Sequence, residues 1–166
     1  MGNYDIYFLM KAEDVPAYIN CKLPYFFSNN ADLVCEEIGD GNLNYVFRLK
    51  DKNSDKSLIV KQAAEELRIS KELKLSTDRG RIEAKILGLQ SKLVPGFVPE
   101  IYLYDSTMCT MVMEEMVNHE MMRSALMKHK IFPKFADQIS TFLVNTLLLT
   151  SDIVMNHTEK ETLVGE

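Results

Sequence analysis

Apolar and polar positions change rhythm several times along this chain. Residues 1–10, MGNYDIYFLM, have no clear period and read as an extended arm. In AEDVPAYINCKL, Asp14 is placed to cap a short helix, and Pro16 falls in its first turn, where a missing N–H costs nothing. YFFSNNADL is a connector. DLVCEEI is strand-like and leads into a loop of glycines and asparagines. YVFRL alternates, KDKNSDKS is a polar turn, and LIVKQA is a short branched apolar run, so the region predicts an antiparallel meander. The spacing then turns helical in TDRGRIEAKILGLQSKL. Ile82, Ile86, Leu89 and Leu93 form an apolar stripe that predicts the buried face, although Gly80 and Gly88 weaken the helix slightly. VPGFVPE stops it. IYLYDS and CTMVMEEM predict two more strands with a turn at 105–107, and the chain is helical from there, over about 119–129 and 133–154, with Pro133 opening the second stretch. No internal repeat interrupts this order. It predicts an α+β fold: a five-stranded antiparallel sheet with one inserted helix, followed by helices.

Composition fits that picture. A chain of 166 residues suits one domain, or one large domain with an appendage. With 46% hydrophobic and 26% charged residues, it has enough apolar material for a core and is not disordered in character. The net charge of -5 argues against non-specific binding to nucleic acid or to an acidic membrane surface, but not against a nucleotide held by a few local donors. Cys21, Cys35 and Cys109 form no CxxC pair, so no zinc site is expected. Cys35 and Cys109 lie in apolar runs and are expected as core thiols in a reduced, cytoplasmic setting. The N-terminus shows no signal-peptide pattern. The apolar segment FLVNTLLLTSDIVM is broken by Asn145, Thr146 and Asp152, and is shorter than the roughly 20 residues a membrane span needs.

The candidate chemistry sits in EEIGDGNLNYVFRLKDKNSDKSLIVKQA. Phosphate oxygens want several converging N–H donors, and glycine permits that because it has no Cβ. Gly39, Asp40, Gly41 and Asn42 form a GxG loop, with Asn44 where a kinase-type loop has its third glycine. Asparagine tolerates positive φ, and its amide can donate to an oxyanion. Taken alone, GDG and GN are common turn formers, so a plain hairpin turn stays open beside the phosphate reading. A position between two strands excludes the Rossmann and Walker types, both of which lead into a helix, and leaves the lid of a kinase. Lys61 ends a mostly apolar strand, where an ammonium needs a partner or an anion unless it snorkels out. Glu83 flanks the helical stripe and is the candidate partner; Glu66 and Glu72 are rivals in a segment of weaker period. Glu114, Glu115 and Met116 stand at a strand end that leads into a polar joint. Such a joint is either a solvated turn or an adenine-holding hinge. Met111 and Met113 read as packing.

EIGDGNLNYVFRL, SLIVKQA, DRGRIEA and VMEEM together resemble the N-terminal lobe of the 5-methylthioribose kinase family, relatives of the aminoglycoside and choline kinases with a protein-kinase-like fold. The likeness runs from about Asp14 to Asp152. It implies an N-terminal arm and helix over 1–32, a kinase-like lobe over 33–113, a hinge over 114–118 and the start of a truncated helical C-lobe over 119–166. It further implies ATP-dependent phosphorylation of 5-methylthioribose at its anomeric hydroxyl, a step of methionine salvage, with Mg²⁺ and usually a homodimer. By this resemblance the loop 39–42 and Asn44 would touch the ATP phosphates, Lys61 would bind α/β-phosphate oxygens with Glu83 as its partner, and Glu114, Glu115 and Met116 would hold adenine. Two departures stand out. ELRISKELKLST replaces a tryptophan–proline segment, and neither an HGDLH-type catalytic loop nor a DPE-type metal site occurs. His119, His129 and His157 are not followed by Gly-Asp and are expected on helix surfaces. No catalytic residue and no metal ligand is therefore assigned to this chain. The expectation is the ATP-binding half of a sugar kinase, inactive alone, whose apolar face over ISTFLVNTLLL drives self-association or partial disorder. A naturally truncated, non-catalytic binding or dimerisation module, or a related kinase acting on another small alcohol, are the alternatives.

Overall fold

The structure is a computed structural model that describes residues 4–39, 43–67 and 70–164. Helix α1 (Val15–Lys22) is followed by β1 (Leu33–Glu37), β2 (Asn44–Asp51) and β3 (Ser57–Ala63). A short pair, β4 (Glu66–Leu67) and β5 (Ser70–Lys74), leads to α2 (Asp78–Leu93), then β6 (Ile101–Asp105) and β7 (Thr110–Glu114). The late helices are α3 (Met122–Met127), α4 (Phe135–Leu143) with a π-helical turn over Val144–Leu148, and α5 (His157–Val164). The main sheet has five strands in the order β1-β2-β3-β7-β6, antiparallel throughout. This is the α+β architecture, a five-stranded antiparallel sheet with an inserted helix, that the alternation of strand and helix patterns predicts; the resemblance implies the same order for a kinase-like N-terminal lobe. The β4–β5 hairpin lies in the segment without a clear rhythm and was not legible there.

The chain forms two compact units, 1–88 with 99–115 and 89–98 with 116–166. In the first, alternation along the strands sends Phe47, Leu49, Leu58, Val60 and Val112 to one sheet face, all essentially fully buried. Val15, Tyr18 and Ile19 of α1, with Tyr4 and Met10 of the arm, belong to the same core cluster. Residues 4–10 of the arm are therefore tied to the core through Tyr4 and Met10. Buried Gln62 accepts from the Met10 N–H at 2.9 Å and donates to the carbonyls of Phe8 and Met108, tying the arm to the β6–β7 turn. At that turn Asp105 accepts from Lys22 at 2.9 Å, from the Tyr18 hydroxyl at 3.1 Å and from two backbone N–H groups. Burial pushes the Asp105 pKa up, but the bonds from Lys22 and the Met108 N–H outweigh it and hold the carboxyl below its ordinary value.

Several expectations are corrected. Asp14 stands at the start of α1, but its carboxylate accepts from the Lys11 N–H at 2.8 Å instead of capping the helix. The stripe on α2 does not form its buried face: Ile82 and Ile86 are 47% and 48% exposed, and the helix instead buries Gly80 and Ala84. A Cβ at Gly80 would lie 3.5 Å from that of Ala63, so small residues set how closely α2 approaches the sheet. Cys35 and Cys109 are only half-buried. Burial, with Glu36 beside it, still raises the Cys35 thiol to about 11. Cys109 adopts a positive φ of 48° at the β6–β7 turn, and its carbonyl accepts the Ala63 N–H. In the second unit the predicted helices are shorter and broken. Thr146, Thr150 and Asn145 bond back to carbonyls four residues earlier, a competition that accompanies the π turn. No helix among the described residues is long and apolar enough to cross a membrane.

Candidate functional site

With Leu58 and Val60 turned into the core, strand alternation puts Ile59 and Lys61 on the opposite face of β3. Register brings Val46 and Met111 directly opposite Lys61, and Arg48 and Met113 opposite Ile59. The same sheet face carries half-buried Val46 and Met113 and buried Ile59 and Met111 beside the Lys61 ammonium. Close approach of α2 brings its second turn over the end of β3. There both oxygens of Glu83 meet Lys61 Nζ, at 2.5 and 2.7 Å. The pair is only partly buried, with side chains 22% and 38% exposed, so the ammonium is held in place without being sealed off.

At the loop, Gly39 has φ 136°, a conformation that glycine alone adopts readily. Asp40, Gly41 and Asn42 lie outside the described residues. Asn44 opens β2 and pairs with Ala63 at the end of the β2–β3 ladder. Its side-chain oxygen accepts from Arg79 at 3.0 Å. Arg79 also donates to the carbonyls of Leu43 at 2.7 Å, Ala64 at 2.8 Å and Ser76 at 2.6 Å. Sequence reasoning missed this residue. The available signal was its spacing: Arg79 precedes Glu83 by four, which puts both on one helix face.

At the joint after β7, the Glu114 N–H bonds the Glu100 carbonyl at 2.8 Å, and its carboxylate accepts from the Glu100 N–H. Glu115 is held by Arg48 Nε at 2.5 Å, and Arg48 also reaches Glu36 at 2.8 Å, so one guanidinium links β1, β2 and the joint. The Met116 carbonyl accepts the His119 N–H at 3.1 Å. His119 and His129 flank α3 instead of lying within it, and His157 opens α5; all three are exposed. Among the described residues no group of three or more His, Cys, Asp or Glu is placed to hold a metal. The arrangement can bind and orient an anion beside an apolar surface.

Nearly the full length of the chain has counterparts in known enzymes. The methylthioribose kinase of Bacillus thuringiensis (strain Al Hakam) is 39% identical over 166 residues, 99% of this chain. Those of Bacillus cereus strains 03BB102 and AH187 match at 39% and 38% over the same span. This chain is similar to methylthioribose kinases. It spans about 40% of the length of these relatives. No family model matches it.

Proposed function

We propose that this chain is the nucleotide-binding lobe of a kinase that transfers the ATP γ-phosphoryl group to the anomeric hydroxyl of 5-methylthioribose, in methionine salvage. The Lys61–Glu83 pair carries the reading. A partly exposed ammonium, oriented by a helical carboxylate and two residues inside the Asn44–Ala63 end of the β2–β3 ladder, suits α/β-phosphate oxygens. Half-buried Val46 and Met113, backed by buried Ile59 and Met111, supply an apolar surface for adenine. Glu114, Glu115 and Met116 are its hinge within a 114–118 joint, and the 39–42 loop and Asn44 touch the phosphates. Similarity to the methylthioribose kinases supports the acceptor. Phosphoryl transfer also requires a base and Mg²⁺, which would neutralise the phosphates. Neither role is assigned to residues of this chain. A cytoplasmic homodimer completes the proposal.

Calorimetric titration of ATP into the chain tests it. Binding should be weakened about tenfold or more by Lys61→Ala, the scale for losing a hydrogen bond to a charged group. Equal affinity in that variant removes Lys61 from the site, and absence of binding by the parent chain rejects the nucleotide reading. Mixing with a separately produced catalytic segment of a relative should give methylthioribose phosphorylation that the Lys61→Ala chain does not support.

A further inference from the structure

We infer that Arg79 is a positioning residue for phosphate binding: it fixes Leu43 and Asn44 at the start of β2 and sets the Asn44 carboxamide with its NH₂ end as the donor. The inference rests on the nucleotide reading above. Asn44 and Ala63 are the last pair of the β2–β3 ladder, so the carbonyls of Leu43 and Ala64 lie just past the paired region and need donors from elsewhere. The Arg79 fork supplies them, closing the ladder end with bonds of 2.7 and 2.8 Å. The same Nη2 reaches Asn44 Oδ1 at 3.0 Å, so its two protons are shared among three acceptors. With Oδ1 engaged, a flip of the Asn44 amide would turn its NH₂ toward a guanidinium, which has no acceptor. The NH₂ is then the end left to meet an anion.

The placement of Arg79 gives this clamp a second consequence. Glu83, which orients Lys61, stands four residues further along α2. Two candidate anion donors, the Asn44 amide and the Lys61 ammonium, are therefore each held by α2, one helical turn apart. A shift of the helix would move both together. Among the described residues Arg79 Nε is buried without a partner, so the clamp carries an uncompensated donor as well as its bonds. Lysine keeps the charge and removes that Nε, but presents a point-like head in place of the planar fork.

The test compares ATP with adenosine, which lacks phosphate, on the parent chain, Arg79→Gln, Arg79→Lys and Asn44→Ala, with the Asn44 side-chain amide followed by ¹⁵N NMR. Arg79→Gln should weaken ATP about tenfold while adenosine changes less than about twofold. Arg79→Lys should recover part of the loss. The Asn44 amide signal should shift on ATP addition in the parent and stay unchanged in Arg79→Gln. Combining Arg79→Gln with Asn44→Ala should weaken ATP less than the product of the single effects. Equal loss of ATP and adenosine would reduce Arg79 to a fold contact and overturn the proposal, as would unaltered ATP affinity in both Arg79 variants. If the parent binds no ATP, the nucleotide reading fails by itself. The Asn44 amide then still reports on the clamp: an unchanged signal in Arg79→Lys and Arg79→Gln would overturn that too.

Discussion

The two units of the chain differ sharply in how their apolar residues are used. The first surrounds a sheet face with Phe47, Leu49, Leu58, Val60 and Val112 and covers it with α1 and the arm. In the second, only Val94, Ala125 and Thr146 are buried among the described residues, while Ile131 and Ile153 are 86% and 85% exposed. Both units are rich in apolar side chains, so composition does not separate them. What separates them is geometry. Strands five to eight residues long, paired side by side, present contiguous faces that one helix can cover, whereas short helices joined by turns leave their stripes without an opposing surface. Hydrophobic content alone therefore does not make a core.

The contrast can be broken by substitution. Phe47→Ala in the first unit should cost about 3–5 kcal/mol in urea unfolding, the range for an aromatic removed from a packed core. A loss below about 1 kcal/mol would mean that the sheet face is not packed as described. An intermediate effect belongs to Asp105, which links α1 to the β6–β7 turn. Its folded pKa is lowered, so the stability it contributes is present above its unfolded pKa and is lost as pH falls through the folded pKa. Asp105→Asn should cost about 2 kcal/mol at neutral pH and flatten that acid limb, read as midpoint against pH between about 5 and 2. An unchanged acid limb would assign the pH dependence to other carboxylates, Asp51 first, whose pKa is also lowered, chiefly by the Ser54 hydroxyl. The smallest effect on stability is expected at Leu147, which is 63% exposed in the second unit. Leu147→Ser should change stability by less than about 0.5 kcal/mol. It should also reduce concentration-dependent association in sedimentation velocity, since exposed apolar surface favours self-contact. A large loss of stability there would show that the face is covered within the chain.

How much was readable in advance depended on the kind of residue. Period-2 alternation in YVFRL and LIVKQA specified β2 and β3, because a strand's faces follow directly from sequence parity. The same parity placed Lys61 away from Leu58 and Val60, on the face that Glu83 can reach. The α2 stripe misled because apolar period reports which residues share a face, not which face meets the sheet. Gly80 and Ala84 decided that by allowing closer approach. Arg79 left only the faint signal of its spacing to Glu83, for a related reason: its acceptors are mostly backbone carbonyls, which every residue has and no motif marks.

The sequence by itself determined the order of elements, the sheet and the pairing candidates Lys61 and Glu83, since each depends on local periodicity and charge. Tertiary structure alone decided that the first turns of α2 bind both the start of β2 and the lysine. That outcome depends on how near a helix can come to a sheet, and contact distance between elements far apart in the chain is set by packing, not by any local pattern.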